Sequence, residues 1–253
     1  MKKLVIDTDI GTDVDDLFAL IYAIKNPRAD IIAISTVHGD TTIRGKIVRK
    51  LERILNVDIP IIPGESCSKK MVKKYWTGFE KLALTKRELK EPLQERKFPE
   101  YEKGTALACI GPLTNIALQL KENESIKNVQ EIYLMGSSIK SHNFKTDPKA
   151  LKIVQSQHWK IKYINKYVSE KISFRRDELE NLKGNELGNF VYESSIRWLD
   201  YAKKDTIYMY DVLTLSAAIG EDFVKFREKD EKIMSYDVDP TIKNMIIEAI
   251  KNV

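Results

Sequence analysis

The 253-residue sequence has little cysteine, no long apolar run and no marked excess of one charge, and each shortage closes off a class of protein. Its two cysteines lie in unlike settings, Cys67 in the polar SCSKK and Cys109 in the apolar TALACIG. They suggest neither a disulfide framework nor a zinc site, and read as free thiols. The opening MKKLVID has three apolar residues before Asp7, too few for the core of a secretory signal, and no later run approaches the length of a membrane span. A cytoplasmic location and no membrane partner are the expectation. The net charge of +5 comes from 42 Lys+Arg and 37 Asp+Glu, which are interspersed. Even residues 69–103, the most charged stretch, lack the aromatic interleaving of a nucleic-acid groove, so no nucleic-acid partner is expected.

What is present is enough apolar residue, 43%, to bury a substantial core. The runs KKLVIDT, ADIIAISTVHGD, DIPIIPG, TALACIG and EIYLMG have strand character. They alternate with DVDDLFALIYAIKN, TTIRGKIVRKLERILN, PLTNIALQLKEN and DPKALKIVQSQ, which have helical periodicity. The strands are continuously apolar, as a sheet covered on both faces requires. An α/β fold follows, with a mostly parallel central sheet flanked by helices and residues 1–253 forming one domain. WKIKYINKYV reads as another strand, residues 175–220 as largely helical and KFREKDEKIMSYDVD as one or two strands. PTIKNMIIEAIKNV closes the chain as a helix opened by Pro240. Residues 66–102 have weak periodicity and many charges, and read as an irregular stretch rather than a boundary.

The most unusual stretch is IDTDIGTDVDDL at 6–17, which places Asp7, Asp9, Asp13, Asp15 and Asp16 at the end of the first strand and the start of the first helix. In an open parallel sheet that is where ligands bind. Helix capping, with Thr12 or Asp13 as N-cap and Asp15 and Asp16 favoured by the helix dipole, accounts for two or three of these carboxylates. Five crowded together repel one another unless a cation compensates them, and a hard divalent metal with oxygen ligands does so. The spacing excludes an EF-hand, because Gly11 comes one place early and Phe18 stands where the bidentate glutamate belongs. A magnesium-dependent phosphatase of the haloacid-dehalogenase type also carries Asp-x-Asp after its first strand, but Gly11 and the extra DVDD depart from that pattern.

As a whole, DTDIGTDVDDLFAL resembles the opening of the inosine-uridine-preferring nucleoside hydrolases. HGD at 38–40, IGPLTNIAL at 110–118, EIYLMG before a glycine-containing loop, and YDVLTL at 210–215 follow in that family's order. The resemblance implies a nucleoside-hydrolase-like open sheet and Ca2+-dependent hydrolysis of the N-glycosidic bond of ribonucleosides or related ribosyl compounds. The products would be ribose and free base, in purine or pyrimidine salvage. It implies that Asp9, Asp16, Asp211 and the main-chain carbonyl of Ile110 hold Ca2+, with Asp9 also acting as base toward the attacking water. Asp15 would bind a ribose hydroxyl, Asp211 would contact the substrate, and Asp7 would support the cluster from behind. A homo-oligomer, dimer or tetramer, is implied as well.

Three departures accompany the resemblance. Tyr210 stands where many members place a histidine that protonates the leaving base, so Tyr210 and Asp40 are the candidates for leaving-group or sugar contacts, with His38 expected to be structural. The loop GSSIKSHNFKTDP is short: Asn143 matches a sugar-binding asparagine, Ser141 replaces a glutamate, the asparagine for the 5′ side of the ribose is missing, and His142 is expected at the surface. In YWTGFEKL, Trp76 and Tyr75 are candidates to stack on a base or to pack a loop onto the core, and Trp198 and Tyr208 are similar candidates late in the chain, with burial the expectation. These departures leave open a relative that binds ribosyl ligands but hydrolyses them poorly.

Overall fold

The computed structural model describes residues 1–67, 79–94, 96–229 and 231–252. The chain runs β1 (Lys2–Thr8), α1 (Asp15–Lys25), β2 (Ala29–Thr36), α2 (Thr41–Leu55) and β3 (Ile61–Pro63), then a 3-10 turn at Phe79–Ala83 and α3 (Lys86–Lys90). It continues through β4 (Ala106–Cys109), α4 (Thr114–Glu122), β5 (Glu131–Met135), α5 (His142–Thr146), α6 (Pro148–Gln155), β6 (Lys160–Ile164) and α7 (Lys166–Ser169). The last part comprises β7 (Ser173–Arg175), α8 (Arg176–Leu179), α9 (Glu186–Ala202), β8 (Thr206–Tyr208), α10 (Tyr210–Ile219), β9 (Val224–Lys229), β10 (Lys232–Val238) and α11 (Ile242–Lys251).

Eight strands form one sheet in the order β3-β2-β1-β4-β5-β6-β10-β9. All neighbours are parallel except β9, which runs antiparallel to β10. The expected α/β architecture is therefore present. Alternation along each strand divides the core: Leu4, Ile6, Ala106, Ala108 and Tyr133 pack with α1, α2, α9, α10 and α11, while Val5, Leu107, Cys109, Ile132 and Leu134 pack with α4 and α6. Both faces are covered, which is why the strands read as unbroken apolar runs.

The second half departs from the expectation in detail. WKIKYINKYV is not one strand, because β6 stops at Ile164 and Asn165 accepts a hydrogen bond from the Tyr167 N–H (3.0 Å), opening α7. Within the stretch expected to be helical, β8 pairs antiparallel with β7 as a two-stranded ribbon. Strands of three residues are too short to show a period.

Topology locates the site. The chain builds β1, β2 and β3 outward on one side, then returns to place β4 on the other side of β1. The strand order reverses between β1 and β4, and the crevice beyond their carboxyl ends is where such sheets bind ligands.

Candidate active site

At that crevice the main-chain oxygen of Asp7 accepts from the N–H groups of Ile110 (2.8 Å) and Gly111 (3.3 Å), so the segments leaving β1 and β4 stay close. Gly111 permits the contact. A Cβ there would lie 3.0 Å from Asp9 N and 3.1 Å from Asp9 Oδ1. The chain then turns through Gly11, at φ +107°, into α1.

Capping does not occupy the carboxylates. Val14 holds the N-cap position without a side-chain bond, and Asp13 instead accepts from Trp198 Nε1–H (2.8 Å). Asp15 and Asp16 lie in the first turn of α1, and Asp211 lies in the first turn of α10, which packs against α1. One carboxylate oxygen from each of these three lies within 4.8 Å of the other two. Asp9 is close enough for its charge to raise the pKa values of Asp15, Asp16 and Asp211.

All four carboxylates are buried. Burial, with repulsion from Asp13, lifts Asp15 to about 7. Burial and mutual repulsion push Asp16 and Asp211 well above the carboxylate range, and Asp9 is raised chiefly by burial. The interaction between the Asp15 and Asp211 side chains lowers the pKa of Asp15 and raises that of Asp211. Hard oxygen donors this close, which repel one another when ionised, fit a divalent cation, and Ile110 lines the same cleft.

Beneath the loop lies a fully buried arginine that sequence reasoning missed. Arg44 on α2 donates from Nε to the His38 carbonyl (2.6 Å) and from Nη1 to the carbonyls of Ile10 (2.7 Å) and Asp9. From Nη2 it reaches Thr12 Oγ1 (2.7 Å) and the buried Glu80 carboxylate (3.4 Å). One guanidinium thus fixes the path of the loop, and its charge lowers the pKa values of Asp9 and Asp16. A signal was available: Arg44 falls on the apolar stripe of α2 with Ile47, Val48 and Leu51.

Asp7 lies in a separate hydrogen-bond network at the end of β1. Its Oδ1 accepts from Ser35 Oγ (2.5 Å) and from Asn115 Nδ2 (2.7 Å), while Asn115 also donates to the Thr36 carbonyl (3.1 Å) and accepts from the Glu65 N–H (2.7 Å). The asparagine of IGPLTN therefore ties together the ends of β1, β2 and β3.

The opposite wall follows β5. Ser141 Oγ accepts from the N–H groups of Ser137 and Ser138 (3.2 Å each), closing a tight turn. The buried Asn143 donates to the carbonyls of Ile110 (2.8 Å) and Met135 (3.4 Å). Between the walls lies a cleft of about 520 Å³, lined by Asp9, Asp15, Asp16, Asp211, Ile110, Asn143 and Tyr210 among others. That size suits a small organic ligand.

The family model described as inosine-uridine preferring nucleoside hydrolase matches residues 4–247. The chain belongs to that family. It is 26% identical over 271 residues to the inosine-uridine preferring nucleoside hydrolase of Crithidia fasciculata, a match covering 95% of this chain and 80% of that protein. It is 25% identical over 259 residues to the probable uridine nucleosidase 1 of Oryza sativa subsp. japonica, covering 89% and 79%. The fold superposes on a purine-preferring ribonucleoside hydrolase from Gardnerella vaginalis with TM-score 0.79 at 18% identity, covering 99% of this chain and 98% of that one. This nucleoside hydrolase family member is accordingly an enzyme that hydrolyses N-glycosidic bonds, and the phosphatase alternative is set aside.

Against that background the remaining residues of the hydrolase can be placed. Tyr210 lines the cleft, its hydroxyl donating to Glu170 Oε1 (3.2 Å); burial and the Glu170 charge push its pKa above the ordinary value of 10.0. Tyr208 lies against it, with ring centroids 5.9 Å apart. Asp40 does not reach the cleft wall among the described residues, and its Oδ1 caps α2 by accepting from the Ile43 N–H (3.0 Å). Trp76 and Tyr75 lie outside the described residues. Trp198 is half-buried and is held to the aspartate loop through Asp13.

The histidines behave differently from each other. His38 is buried, its ring nitrogens have no hydrogen-bond partner among the described residues, and burial lowers its pKa to about 4. His142 is exposed at the surface as expected but also lines the cleft, where its charge lowers the pKa of Asp9. No helix of the described residues is long and apolar enough to cross a membrane.

Proposed function

We propose that this enzyme releases the base from ribonucleosides or related ribosyl compounds in a Ca2+-dependent reaction. The observation that carries the reading is the meeting of Asp15, Asp16 and Asp211, from two helices far apart in sequence, beside Asp9 in one buried pocket. Asp9, Asp16, Asp211 and the Ile110 carbonyl would hold the ion, and Asp15 lies close enough to share it. Mixed carboxylate and carbonyl oxygens suit calcium's large and flexible coordination shell. When bound, the cation would supply Lewis acidity toward the attacking water and a grip on the sugar's vicinal diol.

The chain's own groups do the rest. Asp9, kept more acidic by Arg44 than burial alone would leave it, takes the proton of the attacking water. Asp15 accepts from a ribose hydroxyl, and Asp211 and Asn143 contact the sugar. Positive character builds on the ribose ring as the bond to the base lengthens, and the surrounding carboxylates stabilise it. Tyr210, once its proton turns from Glu170, would present a protonated hydroxyl to the leaving base. Its raised pKa makes full proton transfer costly, so substrates whose bases leave readily are favoured.

Incubation with inosine, uridine, cytidine and adenosine, with and without a chelator, tests the reading by release of free ribose. Calcium-dependent release is expected; chelator-insensitive cleavage, or none from any ribosyl compound, refutes it. A second reading, a ribosyl-ligand binder with weak hydrolysis, is favoured by the hydrogen bond holding Tyr210 on Glu170. Calcium-dependent binding without turnover selects that one. Family resemblance also supports a homo-oligomer, dimer or tetramer, which light scattering checks.

A further inference from the structure

The two walls of the cleft have opposite charge. Residues 9–16 contribute four aspartates to the lining and α10 adds Asp211, whereas residues 136–146, GSSIKSHNFKT, contain two lysines, one histidine and no carboxylate. Lys140, His142 and Lys145 all line the cleft, and Lys166, at the start of α7 after the neighbouring strand β6, lines it too, although its ammonium is paired with Glu170 (3.4 Å). The positive side is thus the β5–β6 side, across from the aspartates on the β1 and α10 side. The N–H groups of Ser137 and Ser138 are taken by Ser141 Oγ, so anion attraction on this wall falls to the long cationic side chains.

A neutral nucleoside makes poor use of such a wall. The diol of a ribose suits the acidic pocket and its cation, but nothing in the ribose or in a neutral base calls for the two ammonium groups of Lys140 and Lys145 at the other end. A phosphoryl group does, because lysine ammoniums recognise phosphate oxygens through charge-assisted hydrogen bonds. The volume of about 520 Å³ leaves room for one beyond the sugar.

We propose that the substrate is an N-ribosyl compound phosphorylated on the 5′ carbon of its sugar, a nucleotide rather than a nucleoside, with Lys140 and Lys145 receiving the phosphoryl group. This rests on the hydrolase reading above. The bond cleaved is still the N-glycosidic one: water adds its oxygen to the anomeric carbon, the base leaves with the bonding electrons and gains a proton, and the other product is ribose 5-phosphate in place of ribose.

The test compares the full-length enzyme, with calcium, on inosine, uridine and adenosine and on their 5′-monophosphates and 5′-diphosphates. The expected result is kcat/KM about tenfold or more higher for at least one phosphorylated form than for its nucleoside, with ribose 5-phosphate a stronger product inhibitor than ribose. The better of the mono- and diphosphates defines the phosphoryl group received. Lys140→Ala should lower the nucleotide-to-nucleoside ratio, and Lys140→Arg should largely keep it. Equal or better use of the plain nucleosides, with equal inhibition by ribose and ribose 5-phosphate, overturns the proposal and makes the lysines counter-charges only. If nothing is hydrolysed, the hydrolase reading fails, and calorimetry of ribose 5-phosphate against ribose still decides whether the wall binds a phosphoryl group.

Discussion

The acidic and basic sides of the cleft are built on different principles. The aspartate side is buried and held by a guanidinium bonded to three carbonyls, while the side after β5 presents exposed lysines on a short turn and a helix of five residues. Charges on the first side are fixed where they repel one another, a costly arrangement that only a function or a counter-ion sustains. Charges on the second are carried by side chains at the surface. On the proposed reading, rigid placement would belong to the groups that face the reacting bond and exposed placement to the groups that recognise a substituent.

Substitutions on the aspartate side should give the largest effects. Asp9→Ala is expected to lower kcat by about a thousandfold or more with saturating calcium, because both a proton acceptor and an ion ligand are lost. The metal-free variant should nevertheless melt no lower than the parent, since one repelling carboxylate has gone. A lower melting temperature together with retained turnover would erase the distinction between the two sides.

Arg44→Met comes next. Removing a fully buried charge that is paired with Glu80 should cost about 3–5 kcal/mol of unfolding free energy, read from urea denaturation. Lys140→Ala on the exposed side should stay within roughly 0.5 kcal/mol. Equal losses would show that the lysine wall is as fixed as the loop over Arg44.

The third expectation concerns pH. Asp7 and Asp15 have folded-state values of about 7 against an ordinary 3.8, so the folded chain binds more protons than the unfolded chain between those values. Stability of the metal-free protein should therefore fall as pH rises from about 4 to about 7, each group contributing at most about 4 kcal/mol. His38, lowered from 6.5 to about 4, acts the opposite way over the same interval, but its shift is smaller than that of either carboxylate. Calcium should flatten the slope. Thermal melts across this range with and without the ion measure it, and a rising metal-free curve would contradict the charge state assigned to the pocket.

The smallest effect is expected at Tyr210. Tyr210→Phe should reduce kcat by about tenfold or less, because a hydroxyl with so high a pKa assists the leaving base through a hydrogen bond rather than full transfer. The loss should be greatest for the poorest leaving base. A loss above a hundredfold on every substrate would place this tyrosine beside Asp9 in importance.

Much of the frame was legible in the order of residues. The runs from KKLVIDT to EIYLMG are apolar throughout because both sheet faces are covered, and the helices between them carry full periods. Beyond β6 the elements shorten: the three-residue strands β7 and β8 give no period, and Asn165 ends what looked like one strand. Within the site, the crowding at 7–16 and the late Asp211 point to one place because carboxylates seldom gather at a strand end without a task. Asp40 and Thr12 were harder to place, since short polar side chains serve equally as caps, loop anchors or ligands. Arg44 was hidden by its type, because an arginine in a charged helix is ordinarily solvent-facing and only its neighbours on the apolar stripe revealed otherwise.

Asn143 has a mechanical consequence. Its amide clasps the oxygen of Ile110 on one side of the crevice and belongs to the helix that carries His142 and Lys145 on the other. An ion held by that oxygen would share it with the same clasp, so loading the deep pocket would be felt at the mouth through a single side chain. Metal and substrate would then report on each other's arrival without any large movement of the sheet.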